Sequence, residues 1–84
     1  MADRFAKPLA EPLFQRMVIV GVGLIGSSLL RAARQRNLVK TLVAADLSED
    51  VCARVRDIGI ADDVFQDAKA AVAGADLVIL CTPV

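Results

Sequence analysis

The feature that most limits how this chain can fold is an apolar run that ends in three spaced glycines. The run "RMVIVGVG" (16–23) is continuously hydrophobic and β-branched, which is typical of a strand buried on both faces of a parallel sheet. From Leu24 to about Arg36 the hydrophobic spacing becomes helical, and the predicted buried face comprises Ile25, Leu29, Ala32 and Ala33. The glycines, Gly21, Gly23 and Gly26, therefore fall where a strand turns into a helix.

The rest of the sequence continues this alternation of strands and helices. Further strands are predicted at 40–46, 63–65 and 76–82. A helix capped by Ser48 is predicted to bury Val51, Cys52, Val55 and Ile58, and a short helix is predicted to begin at Asp67. The order β-α-β-α-β-α-β predicts an α/β fold with parallel strands and helices on both faces of the sheet. In such a sheet we expect the first strand to be paired on both sides and the fourth to lie at an edge.

The spacing of the glycines is the one with which a strand-to-helix turn binds the pyrophosphate of a dinucleotide. In "GVGLIG", Gly21 allows a sharp turn, Gly23 lets the pyrophosphate approach the backbone, and Gly26 permits close packing of helix on strand. The N–H groups of the first helical turn, at Leu24 and Ile25, then face the anion with the helix dipole behind them. A P-loop is excluded because the run lacks the lysine that such a loop requires.

An acidic residue at the end of the second predicted strand supports the same interpretation. Asp46 follows the last glycine of the motif by 20 residues, and a carboxylate there can accept hydrogen bonds from both ribose hydroxyls of the adenosine. If the glycines served only helix–sheet packing, this position of Asp46 would be a coincidence. The carboxylate would also repel the 2′-phosphate of NADP, and the next residues, Leu47, Ser48 and Glu49, include no arginine to neutralise it. The sequence therefore predicts NAD as the cofactor.

Composition and charge exclude several other classes of partner. Lysine and arginine together equal aspartate and glutamate in number, and no aromatic residues are interleaved with the basic ones, so we expect no nucleic-acid partner. The longest apolar run is too short for a membrane span, and charges and prolines interrupt residues 1–16, so no secretory signal is predicted. We therefore expect a cytoplasmic protein without a membrane partner.

Residues with other possible chemistry have simpler interpretations. Cys52 and Cys81 have no metal-site spacing, and both are expected to be reduced, semi-buried thiols. The adjacent acids Asp62 and Asp63 are expected to be solvated residues of a turn, so no metal site is predicted. Ser27 is equally compatible with a hydrogen bond to a phosphate and with one to the local backbone, as is Ser28.

Three segments together resemble one enzyme family. The segments "VGLIGSSLLRAAR", "GIADD" and "GADLVILCTPV", within residues 16–84, are similar to the N-terminal part of prephenate and arogenate dehydrogenases, the oxidative-decarboxylating enzymes of tyrosine biosynthesis. The resemblance implies a Rossmann-type fold and NAD. It also implies a pyrophosphate site lined by Gly21, Gly23, Leu24, Ile25 and Gly26, a ribose held by Asp46, and a nicotinamide half flanked by Cys81, Thr82 and Pro83.

The sequence also departs from this family. The chain contains no histidine, whereas the family places a catalytic histidine beyond the fourth strand and carboxylate-binding arginines further on. Residues 1–15 are expected to be an irregular leader, and 16–84 to be the N-terminal half of a dinucleotide-binding domain, because a complete one has about six strands. We therefore expect a piece of a larger enzyme that is inactive alone and has no catalytic residue. The intact enzyme would bind a small-molecule substrate and form a homodimer through a helical domain absent here.

Two alternatives remain open at this point. One is another NAD(P)-dependent dehydrogenase of the 6-phosphogluconate or hydroxyacyl dehydrogenase type, which shares this architecture. The other is a non-catalytic module that senses a dinucleotide. The residues that follow Val84 in a parent protein would discriminate among these possibilities, since a histidine and an arginine-bearing helical domain favour the tyrosine pathway.

Overall fold

Strands and helices alternate strictly in the computed structural model, which describes residues 8–82. In chain order they are β1 (Phe14–Val20), α1 (Leu24–Gln35), β2 (Val39–Ala45), α2 (Glu49–Ile58), β3 (Asp63–Phe65), α3 (Ala68–Ala71) and β4 (Leu77–Leu80). The predicted order is therefore confirmed, although β1 begins two residues inside the segment expected to be irregular. Of the helices in this range, none is long and apolar enough to cross a membrane.

The four strands form one parallel sheet in the order β3-β2-β1-β4. β1 is paired on both sides, with Val18 opposite Val43 of β2 and Val78 of β4. Met17, Val18 and Ile19 of β1 are almost completely buried, as expected for a central parallel strand. The predicted α/β, Rossmann-type architecture is confirmed, and β4 lies at one edge of the sheet.

Helices cover both faces of the sheet. On one face, Ile19 and Leu42 pack in a cluster with Leu30 of α1 and Val55 of α2. On the other face, Val18, Val43 and Ala45 pack around Ala71 of α3. Because neighbouring residues of a strand point to opposite faces, a continuous apolar run is needed to fill both clusters.

The predicted helix ends are also confirmed. Asn37 has a left-handed backbone with φ of 55°, and the N–H of Leu38 donates to the carbonyl of Ala33 at 3.0 Å. This closes the last turn of α1 and turns the chain into β2. The Ser48 hydroxyl accepts from the N–H of Val51, and the Asp67 carboxylate accepts from the N–H of Lys69, so both side chains cap the helices that follow them.

Two residues predicted to be buried are exposed. Ile25, in the first turn of α1, is 72% exposed, and Ile58, the last residue of α2, is 53% exposed. The buried residues of α1 are Gly26, Leu30 and Ala33, of which only Ala33 was predicted. At the other two positions the buried residue lies one place after the predicted one, and Gly26 there packs directly against the carbonyl group of Gly21.

Candidate functional site

A groove of about 740 Å³ opens at the carboxyl ends of the strands. This is the edge at which open parallel sheets bind ligands. Five of the predicted cofactor-binding residues line it together, namely Gly21, Gly23, Asp46, Cys81 and Thr82; the other lining residues are Val20, Val22, Leu47, Val51, Gln66 and Ala68. The fold therefore brings residues from the ends of all four strands to one ligand-sized cavity.

The conformation of the first glycine brings two strand ends together. Gly21 has a φ of 91°, a left-handed conformation that favours glycine. Its N–H donates to the carbonyl of Ala45 at 2.8 Å, which continues the pairing of β1 with β2. A Cβ atom at Gly21 would lie 2.9 Å from Cγ2 of Thr82, closer than packed carbon atoms approach. A larger residue would therefore push the end of β4 away from the turn.

The other two glycines of the motif have different surroundings. A Cβ atom at Gly23 would meet no atom within 4 Å, so its side of the backbone is open to a ligand. A Cβ atom at Gly26 would clash with the carbonyl oxygen of Gly21, and Gly26 is buried. Gly26 thus contributes by holding α1 against the turn, whereas Gly23 leaves room beside the backbone.

The start of α1 is suited to an anion. Gly23 is the N-cap residue, no side chain caps the helix, and its first turn contains no acidic residue. Leu24 is 91% exposed, and with Ile25 it leaves the first turn open to solvent. Uncapped N–H groups at a helix N-terminus attract a negatively charged ligand. The hydroxyl of Ser28 donates to the Leu24 carbonyl at 3.0 Å, which favours the backbone role for this serine.

Leu24 also borders a second cavity, of about 370 Å³, that runs between α1 and α2. It shares Val22, Gly23 and Val51 with the groove at the strand ends. Ser27 is among the residues that line this cleft.

Asp46 is linked to the glycine-rich turn by a hydrogen bond that the sequence did not reveal. Its Oδ2 accepts from the N–H of Val22 at 2.7 Å, and its Oδ1 accepts from the N–H of Ser48 at 2.9 Å. A carboxylate oxygen can accept more than one hydrogen bond, so both oxygens retain capacity for a ligand. One side chain thus fixes the turn after β1 and the turn after β2 relative to each other.

Gln66 is a groove residue that sequence reasoning missed. It directly follows β3, and its Nε2 donates to the carbonyl of Leu47 at 3.0 Å. Its position in the sequence could have indicated this role, because a residue just after a parallel strand lies at the ligand-binding edge of the sheet.

The two cysteines differ in burial and in their hydrogen bonds. Cys81 is partly buried, and its N–H donates to the carbonyl of Val20 at 2.7 Å. Cys52 is fully buried, with its Sγ 3.2 Å from the carbonyl of Asp46. Pro83 lies outside the described residues. Within residues 8–82, no three metal-ligating side chains come together.

Asp62 is exposed, as expected, but its side chain also makes contacts that were not predicted. Its Oδ2 accepts from the N–H of the buried Leu42 at 2.7 Å and lies 3.1 Å from the guanidinium of Arg34. The Asp62 N–H in turn donates to the Leu42 carbonyl at 2.7 Å. Asp62, which directly precedes β3, therefore links that part of the chain to β2 and α1. Asp63 is exposed, as expected.

The chain is similar to known dehydrogenases in sequence and in fold. No family model matches the chain. Over 72 residues it is 43% identical to cyclohexadienyl dehydrogenase from Zymomonas mobilis, a match that covers 86% of this chain and 25% of that protein. The chain thus spans about a quarter of the length of the curated relative it matches.

A solved structure, apo scyllo-inositol dehydrogenase from Lactobacillus casei, is similar with a TM-score of 0.69 and 19% identity. That similarity covers 89% of this chain and 23% of the solved chain. At this level of identity the similarity concerns the fold, and the fold is a Rossmann-type one.

Proposed function

We propose that this chain, a relative of the prephenate and arogenate dehydrogenases, binds NAD along the groove at its strand ends. The observation that carries the proposal is the pair of hydrogen bonds that the Asp46 carboxylate accepts from the N–H groups of Val22 and Ser48. These bonds fix a carboxylate beside an open, uncapped helix N-terminus. This arrangement supports a ribose site at Asp46 next to a pyrophosphate site at the start of α1.

The strand order suggests how a dinucleotide would lie. Along the sheet the groove residues follow in the order Gln66 after β3, Asp46 after β2, Gly21–Gly23 after β1, and Thr82 after β4. The pyrophosphate would lie at Gly23 and the first turn of α1, and the adenosine ribose at Asp46. The nicotinamide half would then lie on the β4 side, beside Cys81 and Thr82. Val20 and Val22 provide apolar walls.

The reaction we propose for the whole protein is the oxidative decarboxylation of prephenate or arogenate in tyrosine biosynthesis. NAD supplies the hydride acceptor when it is bound. Residues 8–82 contribute binding and orientation: the turn after β1 holds the phosphates, and Asp46 holds the ribose and favours NAD over NADP. The sequence has no histidine that could act as a general base, and it spans about a quarter of its curated relative. We therefore propose that the general base, the substrate-binding residues and the dimer interface of the whole protein lie outside this chain.

The test is a matched pair of glycine substitutions. Gly23→Ala adds a methyl group where no protein atom lies within 4 Å, so the fold should be kept while the approach of the pyrophosphate is blocked. We expect the Kd for NAD, measured by calorimetry, to rise at least tenfold with an unchanged circular dichroism spectrum. Gly26→Ala is the contrast, because its methyl group clashes with the carbonyl of Gly21 and should lower thermal stability. An unchanged Kd for Gly23→Ala would contradict the proposed pyrophosphate site.

A further inference from the structure

We propose that Gln66 is a specificity-determining residue that recognises the 6-amino group of the adenine ring. The inference rests on the proposed binding of NAD and adds which part of the cofactor is selected and by which atom. It is carried by three features of the described residues: the hydrogen bond that orients the Gln66 amide, its place in the strand order, and the lack of a second partner for its oxygen.

The hydrogen bond to Leu47 fixes which end of the amide is available. Nε2 donates to the Leu47 carbonyl oxygen at 3.0 Å. The reverse orientation would place Oε1 against that carbonyl, with two acceptors facing each other. The nitrogen end is therefore held by the protein, and Oε1 is presented as a hydrogen-bond acceptor. Among residues 8–82, no side-chain or backbone donor is bonded to this oxygen.

The strand order places Gln66 on the side where the base must lie. The base and the pyrophosphate are attached to different carbons of the same ribose, so they leave it in different directions. With the ribose at Asp46 and the pyrophosphate at the turn after β1, the base is directed away from β1, towards the end of β3. The two turns are in contact there, because the Asp46 N–H donates to the carbonyl of Phe65 at 3.0 Å. Leu47, which is 87% exposed, provides apolar surface for the ring.

An acceptor at this position distinguishes adenine from other purines. The 6-amino group of adenine is a donor and would pair with Oε1, whereas the 6-oxo group of hypoxanthine is an acceptor and would face it unfavourably. The amide could relieve that contact only by rotating, which would break its bond to Leu47. Nicotinamide hypoxanthine dinucleotide, which differs from NAD at this edge of the base, should therefore bind more weakly.

The experiment compares these two dinucleotides on the 84-residue chain. For the unmodified chain, calorimetry should give a Kd for the hypoxanthine dinucleotide about three- to tenfold above that for NAD, the range expected for one hydrogen bond in a partly exposed site. Gln66→Met keeps the length of the side chain but removes the acceptor, and it should bring the two Kd values together. Gln35→Met is the matched control, since Gln35 ends α1 as an exposed residue outside the groove, and it should keep the preference.

The outcomes separate the two proposals. A preference for NAD that Gln66→Met abolishes and Gln35→Met retains supports the role of Gln66. Equal Kd values in the unmodified chain, or a preference that survives Gln66→Met, overturn that role and leave NAD binding intact. If neither dinucleotide binds, the proposed function is wrong and this inference fails with it. A folding defect in Gln66→Met would appear as an altered circular dichroism spectrum, and Gln66→Leu, which also lacks the acceptor, then decides by the same two outcomes.

Discussion

At the scale of single residues, Asp46 is proposed to select NAD over NADP, and it also fixes the two turns relative to each other. An experiment that changes the preferred cofactor can measure both effects. Replacing Asp46→Ser together with Leu47→Arg removes a charge that repels a 2′-phosphate and supplies a guanidinium that pairs with it. We expect the ratio of NADP to NAD affinity to rise at least tenfold. The affinity of the double variant for NAD should fall below that of the unmodified chain, because the N–H groups of Val22 and Ser48 also lose their carboxylate acceptor. Titration of both dinucleotides measures both effects.

The matched control for this pair is Asp50→Ser, an exposed acid in the first turn of α2 that does not line the groove. It removes the same charge and should leave the affinity ratio unchanged. An unchanged ratio in the Asp46 and Leu47 double variant would mean that the carboxylate does not face the ribose.

The position of Asp46 could be predicted from the sequence. Its bond to Val22 could not, because spacing indicates that two turns are near each other but not which atoms meet.

At the scale of helices and strands, the Asp62 side chain joins β2 to α1, whereas the Asp63 side chain makes no hydrogen bond or ion pair within residues 8–82. Asp62→Ala would leave the N–H of buried Leu42 without its side-chain acceptor and would remove the carboxylate that pairs with Arg34. We expect a loss of about 2 kcal/mol in the free energy of unfolding, mostly from the unpaired N–H. The half-exposed ion pair contributes less than about 1 kcal/mol. Urea unfolding of Asp62→Ala beside Asp63→Ala, which should be nearly neutral, tests this; equal effects would contradict it.

The order of the elements and the ends of the helices were the most predictable parts of the structure, and the reasons are local. Continuous apolar runs defined the strands, and Ser48, Asp67 and Asn37 marked helix ends through bonds to their own neighbours. Burial at the helix ends was predicted wrongly for Ile25 and Ile58. Periodicity indicates which side of a helix is apolar, but it does not indicate how far the sheet extends beneath that helix.

At the scale of the whole molecule, the outer edge of β4 is a surface through which two copies of the chain could pair. The strand contains no charged residue, and Leu80 is 72% exposed while Ile79 packs against the main core. Unprotected apolar edges pair with other chains. We expect the 84-residue chain to self-associate at high micromolar concentration and Leu80→Lys to reduce this in sedimentation velocity. Ile79→Lys would also weaken the core. Leu13→Lys, at a leucine that is 67% exposed elsewhere, is the control and should not change association.

The position of β4 beside β1 also implies an order of assembly during folding. β1 reaches β2 after one crossover through α1, whereas it reaches β4 only after more than twice as much chain. Closing the longer segment costs more entropy, and pairings between distant segments form slowly. We expect the part of the groove formed by Asp46 and the turn after β1 to form first. The part lined by Cys81 and Thr82, after β4, should form last. In pulse-labelling hydrogen exchange, the Gly21 amide, bonded to Ala45, should gain protection before the Cys81 amide, bonded to Val20. Simultaneous protection would mean that the sheet forms in a single step.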